Sequence, residues 1–513
     1  MNQVKVLTLE LAKRFLKDDW FNIGEFTQIE DEAAEALAKH NGELKLYDLT
    51  SLSDKAAEAL ANHKGDLYLS GLTSLTDLAA EALAKHDGTL HLSGLTSLTD
   101  LAAEALAKHK SDLLLYRLTN LSDKAAEALA KHKGELNLSG LTSLSEKAAE
   151  VLANYDGELL FTKLTSLSDK AAEALANHKG ELNLSGLTSL SDKAAEGLSR
   201  HEGFLTLSRL TKLSDSPGHI ALAEKLAKHE GTLFLCGLTS LSDKAAEAIA
   251  KHEGHFLYLR ALTSLSDKAV EAIAKHKGGL CLALTSLSDI AAEAFAKLEG
   301  YLSLDSLTSL SGSLGHIALA EKLAKNEVFP KLSSLSDKAA KALINHTGKL
   351  ELNGLTNLTD HAAEALANHK GILKLNGLTN LSDKAIEALA NLKGDLNLNG
   401  LTSLTDHAAA ALANHKGDLS FDSLTSLSDK AAEAFANHTG KLFFHSLTSL
   451  SDKAAEAFAN HTGDLYLNIL FNLSDKAAEA LAKHKGDLYL NGHDNPSEKA
   501  AEALAKYRGK NWD

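Results

Sequence analysis

The sequence predicts an α/β fold, a right-handed solenoid with a parallel β-sheet along one side and short α-helices along the other. The main observation is a unit of about 23 residues that occurs twenty-one times between Phe21 and Lys510. Each unit joins a Leu-x-Leu step of period two to an alanine-rich stretch of period 3.6. Because a unit this short cannot bury its apolar side alone, stacked copies must share one continuous core.

The strand and the helix of one unit can be placed from these two periods. Residues 67–69 read Leu-Tyr-Leu and predict a short strand with both leucines on one face. A helix is expected over residues 55–61 of the preceding unit. Its N-cap is Ser53 or Asp54, since both side chains accept hydrogen bonds from a first helical turn.

The helix is predicted to be amphipathic. Ala56, Leu60 and His63 share its inner face at helical spacing, and Gly65 is expected to supply the positive-φ residue that ends it. The outer face carries Lys55, Glu58 and Asn62. Alanine dominates the buried positions because neighbouring helices must approach closely, so a larger side chain there should cost roughly 1–3 kcal/mol.

The repeated Leu-x-Leu-x-x-Leu pattern resembles the leucine-rich-repeat superfamily, specifically its short bacterial-type repeats. The resemblance covers nearly the whole chain and implies an arc with strands on the concave face and helices on the convex face. The pattern departs from the superfamily where Asn or Cys usually forms a ladder of bonds to the backbone. That position holds leucine here, as in Leu49, Leu72, Leu95 and Leu118. The hydroxyls of the Leu-Thr-Ser-Leu step are expected to bond the turn instead.

The units predict four segments along the chain. Residues 1–20 form an N-terminal cap in which Thr8 begins a helix over residues 9–16. Repeats 1–13 occupy residues 21–328, and repeats 14–20 occupy residues 329–487 with an irregular junction at 329–332, where Pro330 stands in a strand position. Residues 488–513 form a capping repeat that carries His493 and Pro496 in place of spine leucines. Trp20 and Trp512 near the two ends fit capping.

Two units are longer than the others. One contains Ser-Pro217-Gly218-His219 and the other Gly312-Ser-Leu-Gly315-His316, and both continue as Ile-Ala-Leu-Ala-Glu-Lys-Leu-Ala-Lys. Duplication of a block of four repeats explains the shared string. The alternative is functional, with two outward loops forming a docking edge.

Charge and composition exclude several classes of protein. A net charge of −15 disfavours nucleic acid and anionic membrane surfaces as partners. No segment approaches the roughly 20 apolar residues of a membrane span, and the N-terminus lacks a signal-peptide pattern. A cytoplasmic protein is expected. Cys236 and Cys281 fall two repeats apart, too far for a disulfide, and lack companion ligands for zinc.

A histidine follows the helix in sixteen units. These residues are His40, His63, His86, His109, His132, His178, His201, His229, His252, His276, His346, His369, His415, His438, His461 and His484. A ladder of imidazoles invites a metal hypothesis. The structural interpretation is favoured, in which each histidine bonds the last helix carbonyls. Tyr155, Leu298, Asn326, Leu392 and Tyr507 take the same position, so no chemistry depends on the whole ladder. Acid should nevertheless destabilise the protein as the pH falls through about 6.

Sequence signals of an enzyme are missing. The chain contains neither a phosphate-cradling glycine loop nor a His-Glu-x-x-His helix nor a nucleophile elbow. Ser and Asp adjoin in almost every repeat, but that pair is explained as the helix cap. The sequence therefore predicts a protein without catalytic residues, metal or cofactor.

The candidate binding residues alternate with the leucine spine. Most of these positions hold Asp, Glu, Asn, Ser or Gly, whereas aromatic residues and arginines cluster within five consecutive central repeats. The predicted patch is Phe204, Arg209, Phe234, Phe256, Tyr258, Arg260 and Tyr301, with Cys236 and Cys281 beside them. Aromatic residues and Arg are enriched in interface hot spots, although drift among tolerant positions gives the same pattern. An acidic rim of Glu135, Glu158 and Glu181 suits a partner with a basic surface.

Together these features predict a non-enzymatic scaffold that binds a protein or peptide on its concave face. The alternative is a structural protein, a spacer or fibre built by end-to-end stacking of near-identical repeats. A third hypothesis, an enzyme hidden in the central patch, has only the two thiols in its favour. A monomer is expected, with end-to-end association as the competing state.

Overall fold

A computed structural model describes residues 4–18, 20–326, 331–470, 473–490, 497–505 and 507. The chain divides into two compact units, Met1–Leu262 and Thr263–Asp513. Both units consist of short parallel strands that alternate with short helices.

The first unit contains fourteen strands and eleven helices within the described residues. Its strands are β1 (Val6–Leu7), β2 (Gln28–Ile29), β3 (Leu44–Lys45), β4 (Leu67–Tyr68), β5 (Leu90–His91), β6 (Leu113–Leu114), β7 (Leu136–Asn137), β8 (Leu159–Leu160), β9 (Leu182–Asn183), β10 (Leu205–Thr206), β11 (Lys212–Leu213), β12 (Leu233–Phe234), β13 (Ser240–Leu241) and β14 (Phe256–Leu259). Its helices are α1 (Leu9–Phe15), α2 (Asp31–Leu37), α3 (Asp54–Leu60), α4 (Asp77–Leu83), α5 (Asp100–Leu106), α6 (Asp123–Leu129), α7 (Glu146–Leu152), α8 (Asp169–Leu175), α9 (Asp192–Ser199), α10 (Pro217–Ala227) and α11 (Asp243–Ile249).

The second unit continues the alternation. Its strands are β15 (Gly279–Leu282), β16 (Leu302–Leu304), β17 (Ser309–Leu310), β18 (Ser334–Leu335), β19 (Leu350–Glu351), β20 (Leu373–Lys374), β21 (Leu396–Asn397), β22 (Leu419–Ser420), β23 (Leu442–Phe443), β24 (Leu465–Tyr466) and β25 (Leu488–Tyr489). Its helices are α12 (Asp267–Ile273), α13 (Asp289–Ala296), α14 (Leu314–Asn326), α15 (Asp337–Leu343), α16 (Asp360–Leu366), α17 (Asp383–Leu389), α18 (Asp406–Leu412), α19 (Asp429–Phe435), α20 (Asp452–Phe458), α21 (Asp475–Leu481) and α22 (Glu498–Ala505).

The strands pair in parallel, and the repeat length sets their register. Leu67 of β4 lies opposite Leu90 of β5, and Leu373 of β20 lies opposite Leu396 of β21. Strands β3–β7 and β8–β10 form two such ladders in the first unit, and β19–β25 form one in the second. These pairings confirm the α/β repeat of parallel strands. A right-handed path and a concave strand face stay predictions, supported by the strong right-handed preference of parallel crossovers.

The core follows the predicted leucine and alanine pattern. Leu67, Leu69 and Leu72 have no exposed surface, and neither do Ala56 and Leu60 of α3. Their outward neighbours, including Lys55, Glu58 and Asn62, are exposed. Alanine at the helix contacts lets adjacent helices pack side by side, since it adds little bulk between them. The predicted amphipathic helix is confirmed.

Hydroxyl groups bond the turn where the superfamily pattern has Asn or Cys. The Oγ1 of Thr50 donates to the carbonyl of Thr27 at 3.0 Å, one repeat earlier. Thr211 donates to Thr188 in the same way at 2.8 Å. The prediction that the Leu-Thr-Ser-Leu step satisfies its own backbone is therefore confirmed.

The helix caps also link neighbouring repeats. The Oγ of Ser53 accepts a hydrogen bond from the backbone N–H of Ala56 at 3.0 Å, as an N-cap does. The same hydroxyl donates to the carboxylate of Asp31 in the preceding repeat. Asp54 is the first helical residue of α3, and its carboxylate accepts from the next cap, Thr76. The Ser-Asp pair thus caps one helix and joins two.

The predicted role of Gly65 at the helix end is wrong. Helix α3 ends at Leu60 and is followed by Ala61 in the right-handed helical region. Gly65 does have a positive φ of 145°, but it lies in the later turn that leads into β4. A Cβ atom there would lie 2.2 Å from the carbonyl oxygen of Gly42. Close approach of two backbones, rather than helix termination, requires glycine here.

The N-terminal helix lies where it was predicted. Thr8 caps α1 by accepting from the N–H of Leu11 at 3.5 Å, and α1 packs against α2. Trp20 is 95% exposed, so its side chain does not cover the first repeat. The other predicted end features, Trp512, His493 and Pro496, lie outside the described residues, as does Pro330 at the junction.

Candidate functional site

Three aromatic side chains and one arginine of the predicted patch form a cluster on the strand face of the first unit. The rings of Phe234 on β12 and Tyr258 on β14 are nearly parallel, at 8°, with centroids 5.1 Å apart. The ring of Phe256 lies 5.7 Å from that of Tyr258, and the guanidinium carbon of Arg260 lies 5.3 Å from the Tyr258 centroid. We call these four residues the aromatic cluster.

The register of β12 and β14 creates this cluster. Phe234 pairs directly with Tyr258, while the adjacent Leu233 and Leu257 pair beneath them in the core. Because side chains alternate along a strand, burial of the leucines directs both rings outward. Phe234 is 52% exposed as a result.

Phe204 belongs to a separate site beside the aromatic cluster. Its ring lies 4.4 Å from the imidazole of His229, and it is 40% exposed. A cavity of about 410 Å³ is lined by both rings, Lys225, Lys228 and the carboxylates of Glu202 and Glu230. The sequence analysis predicted Phe204 but missed His229 and the two lysines, because they stand at helix positions that look like ordinary consensus.

The longer helix α10 shapes this cavity. The Nζ of Lys225 donates to the carbonyl of Gly203 at 2.9 Å and occupies the acceptor that a histidine bonds in regular repeats. Partial burial, and then the charge of Lys228, lower the pKa of Lys225. His229 is only half-buried, whereas His201 in the repeat before it is 1% exposed.

The extra residues of this repeat do not form an outward loop, so the docking-edge interpretation is wrong. Helix α10 begins at Pro217 and absorbs them. The buried His219 accepts at Nδ1 from the N–H of Ser214 at 3.0 Å and donates from Nε2 to the carbonyl of Leu190 at 3.2 Å. Asp192 accepts from the N–H of Gly218 at 2.7 Å.

The second lengthened repeat reproduces these three bonds. His316 bonds Ser311 at 3.0 Å and Leu287 at 3.2 Å, and Asp289 accepts from Gly315 at 2.7 Å. Two networks that share these bonds are what duplication of a block of repeats produces.

The remaining predicted residues lie apart from the aromatic cluster. Arg209 is exposed in the turn after β10. Tyr301 is 42% exposed and precedes β16 of the second unit, at the repeat position that Phe204 has in the first. Cys236 is exposed and Cys281 is buried, and neither forms a disulfide, as predicted. The structure therefore brings together four of the seven site residues and leaves three outside the cluster.

A second aromatic ladder lies on the strand face of the second unit. Phe443 stacks on Tyr466 at 4.4 Å, and Tyr466 stacks on Tyr489 at 4.1 Å with planes 3° apart. Burial raises the pKa of Tyr466 to about 12, and its bond to Tyr489 adds to the shift. Phe443 occupies the same strand position as Tyr466, one repeat earlier.

The recurring histidines bond the preceding repeat. The Nε2 atoms of His63 and His86 donate to the carbonyls of Gly42 and Gly65 at 2.7 and 2.8 Å. The hydroxyl of Tyr155 donates to the carbonyl of Gly134 at 2.6 Å, so tyrosine replaces histidine at this task. In these pairs the acceptor carbonyl belongs to the loop before the strand. The Nδ1 atom of His484 instead bonds the carbonyl of Phe458, the last residue of the preceding helix α20, at 2.9 Å. The structural role of the histidines is confirmed, and the acceptors lie in the preceding repeat.

Burial keeps these imidazoles neutral. His63, His86 and His109 are each 1% exposed, and burial lowers the pKa of each below its usual value. The effect is largest where burial and neighbouring histidines lower the pKa of His438 and His461 to about 4. Neighbouring rings lie nearly parallel, with centroids 6.4 Å apart for His86 and His109.

Metal-binding clusters and membrane-spanning helices are both absent from the described part of the chain. It contains no set of three or more His, Cys, Asp or Glu side chains arranged to hold a metal ion. None of its helices has the length and apolar character needed to cross a bilayer.

Known proteins resemble the chain only in architecture. No family model matches it, and neither does any curated protein sequence. A crystal structure of a TLR13–ssRNA13 complex aligns at 17% identity with a TM-score of 0.36, over 94% of this chain and 60% of that one. An internalin, InlF, from Listeria monocytogenes aligns at 13% identity with a TM-score of 0.28, over 80% of this chain and 94% of that one. At these scores the similarities carry no argument about function. The leucine-rich-repeat architecture rests on the strand register and the leucine core described above.

Proposed function

We propose that the protein is a non-enzymatic scaffold that binds a protein or peptide through the aromatic cluster of its first unit. Phe204 and Arg209 extend this surface within the same unit, and Tyr301 offers an equivalent contact on the second. The strand face is the concave side in this proposal, so that side chains from successive strands converge on the partner.

One observation carries the proposal. Phe234 is 52% exposed and stacks on Tyr258, beneath the guanidinium group of Arg260. A soluble surface gains nothing from an exposed aromatic pair, whereas a partner that covers both rings removes apolar area from water. Aromatic residues and Arg supply most of the energy at protein interfaces.

The charges beside the cluster define the partner further. Glu158 and Glu181 precede adjacent strands, and the pKa of Glu181 is raised first by burial and then by the Glu158 charge. A cationic group of the partner would relieve this repulsion. The net charge of −15 argues against nucleic acid and membrane partners. The proposed protein is a cytoplasmic monomer without cofactor, and its residues in the cluster bind rather than catalyse.

A structural role is the second candidate. The register is the same from repeat to repeat across β19–β25, so a copy could stack on another copy without a change of geometry. The helix α1 covers the first repeat and opposes such stacking. Light scattering over a hundredfold concentration range decides between them, since a spacer or fibre grows with concentration and the binding scaffold keeps one mass.

The proposed function is tested by affinity capture from a lysate of the source cell. The bait is the intact chain, beside a variant with Phe234→Ser, Tyr258→Ser and Arg260→Glu. A matched control carries Phe443→Ser and Tyr466→Ser in the second aromatic ladder, so it loses two stacked rings from the same strand position. Circular dichroism confirms that both variants fold.

The proposal predicts a partner that the intact chain and the control both retain and that the cluster variant loses. A partner that all three baits retain contradicts the proposal and moves the site elsewhere. Reaction of Cys236 and Cys281 with a thiol reagent tests the remaining enzyme hypothesis, because inertness of both thiols would remove its only support.

A further inference from the structure

A basic groove lies between the C-terminal ends of α5 and α6, away from the aromatic cluster. Its lining contains four lysines and one carboxylate: Lys108, Lys110, Lys131, Lys133 and Glu104. Ala107, Ala128 and His109 complete it, and its volume is about 490 Å³. A surplus of three positive charges stands out in a chain of net charge −15.

Helix dipoles explain only half of this charge. Lys108 and Lys131 follow the last turns of α5 and α6, where a cation is favoured by the negative helix end. Lys110 and Lys133 lie beyond those turns, at a position that holds Asp87 in another repeat. Lysines at both positions in two consecutive repeats occur in this sequence only here.

A corresponding groove between α12 and α13 lacks this surplus. It is lined by Lys275, Lys297, Glu271 and Glu293, so its charges balance. Lys297 lies 2.7 Å from Glu293. Outside the lining of the basic groove, Glu127 lies 3.6 Å from Lys131, and both side chains are largely exposed, so the pair is weak.

His109 is the buried member of the groove lining. It is 1% exposed, and within the described part of the chain neither ring nitrogen completes a hydrogen bond. The carbonyls of Ala84 and Gly88 are close enough to influence its pKa without reaching bonding geometry. Both nitrogens are buried and face the preceding repeat, so His109 forms part of the groove wall and the lysines are left to contact a ligand.

We propose that this groove binds a small polyanion with a linear chain of phosphate groups. Ammonium groups on two sides of the groove neutralise several phosphates at once, which a single phosphate could not exploit. The chain of phosphates comes either from inorganic polyphosphate or from a nucleoside triphosphate. The site is independent of the proposed partner surface, because none of its residues belongs to the aromatic cluster.

The test is calorimetric titration of the full chain with tripolyphosphate, ATP and AMP in low salt. The variant Lys110→Asp with Lys133→Glu places acidic residues where the array already carries Asp87 and Glu253, so it should fold. The control, Lys370→Asp with Lys393→Glu, makes the same change of charge at the same repeat position, where Asn368 and Asn391 replace the first lysines.

We expect tripolyphosphate and ATP to bind and AMP to bind at least about tenfold more weakly, since it offers one phosphate. The groove variant should weaken tripolyphosphate binding about tenfold or more, while the control stays within about twofold. Tighter binding of ATP than of tripolyphosphate would identify a nucleotide, and equal binding would identify the phosphate chain alone. Equal weakening in both variants, or no binding by the intact chain, overturns the proposal.

Discussion

A regular repeat and a lengthened repeat fill the same hydrogen-bond acceptor in different ways. In the regular repeat around α3, the neutral imidazole of His63 donates to the carbonyl of Gly42. In the lengthened repeat around α10, the Nζ of Lys225 donates to Gly203 instead. Lys322 repeats this arrangement with Gly300 in the second unit, at 2.8 Å. Lysine can therefore take the place of histidine as the donor to this carbonyl.

The two kinds of repeat therefore differ in where they place the histidine. Regular repeats such as those of His63 and His86 bury the histidine against the preceding repeat. In the lengthened repeat the lysine takes the acceptor, and His229 is left half-buried against Phe204 beside a cavity. The aromatic cluster begins with Phe234 on β12, the strand that follows α10 in the chain. The lengthened repeat thus partly exposes a histidine at a position that the regular repeat around α3 buries.

The largest effect should come from acid, because it acts on several regular repeats at once. Burial lowers the pKa of histidines such as His438 and His461 to about 4, whereas an unfolded histidine titrates near 6.5. The unfolded chain therefore binds more protons below pH 6.5, and stability falls as pH falls from about 6.5 toward 4. Each such histidine removes up to about 1.4 kcal/mol per pH unit. We expect a clear drop in melting temperature between pH 7.5 and 5.5, and an unchanged one contradicts the role given to the histidines.

Glycine substitutions sharpen the comparison within the second lengthened repeat. A Cβ at Gly315 would lie 2.1 Å from the carbonyl oxygen of Asp289, while one at Gly312 meets nothing closer than 3.7 Å. Gly315→Ala should lower the free energy of unfolding by about 3 kcal/mol, because backbone must move. Gly312→Ala should change it by less than about 0.5 kcal/mol. Urea denaturation measures both, and equal losses would contradict the tight start assigned to α14.

Removal of the Lys225 ammonium group tests whether its hydrogen bond to Gly203 stabilises the fold as the histidine bond does in a regular repeat. Lys225→Met keeps most of the apolar stem but leaves the carbonyl of Gly203 without its bond. A loss of about 1–2 kcal/mol is expected, since an unsatisfied buried acceptor costs this much. Lys228→Met, at an exposed position of the same repeat, is the control and should be nearly neutral. Denaturation of both variants at pH 7.5 gives the comparison, and a neutral Lys225→Met contradicts it.

The smallest effect concerns the caps. Ser191 accepts from the N–H of Ala194 at 3.0 Å and donates to Asp169, as caps of regular repeats do. Ser216 stands at the start of α10 without an N-cap bond. Ser191→Ala should cost about 1 kcal/mol and Ser216→Ala less. Thermal melting of the two variants ranks them, and the reverse order would show that the lengthened repeat depends on its cap more than the regular one.

The repeat architecture could be predicted from sequence because one register serves the whole array. Leu67 and Leu90 occupy the same position in consecutive repeats. The repeat period of the sequence therefore predicts that they pair across adjacent strands, as they do. The threonine bonds at Thr50 and Thr211 followed from the same logic. The helix end was wrongly predicted at Gly65 because glycine is favoured both at helix ends and where two backbones approach closely. Its close approach to Gly42 depends on a neighbouring backbone that no local pattern reveals.

The candidate site was only partly predictable, for a related reason. Alternation along the strand identified Phe234 and Tyr258 as neighbours, and the structure stacks them. Nothing in the order of residues shows that Lys225 displaces a histidine, because its bond to Gly203 spans two repeats. Arg209 stands in a turn, where alternation gives no direction, and the structure leaves it outside the cluster. The sequence predicted the contacts of residues at regular repeat positions. It did not predict the contacts of residues in the repeat that contains an insertion.

The central claim is that the aromatic cluster, rather than the regular strand face, binds the partner. The most direct test is selection of a displayed random peptide library on the intact chain, followed by affinity measurement against the cluster variant and the second-ladder control. The account predicts enriched peptides whose Kd rises at least about tenfold for the cluster variant and stays within about twofold for the control. Peptides that bind the cluster variant as tightly as the intact chain would contradict it.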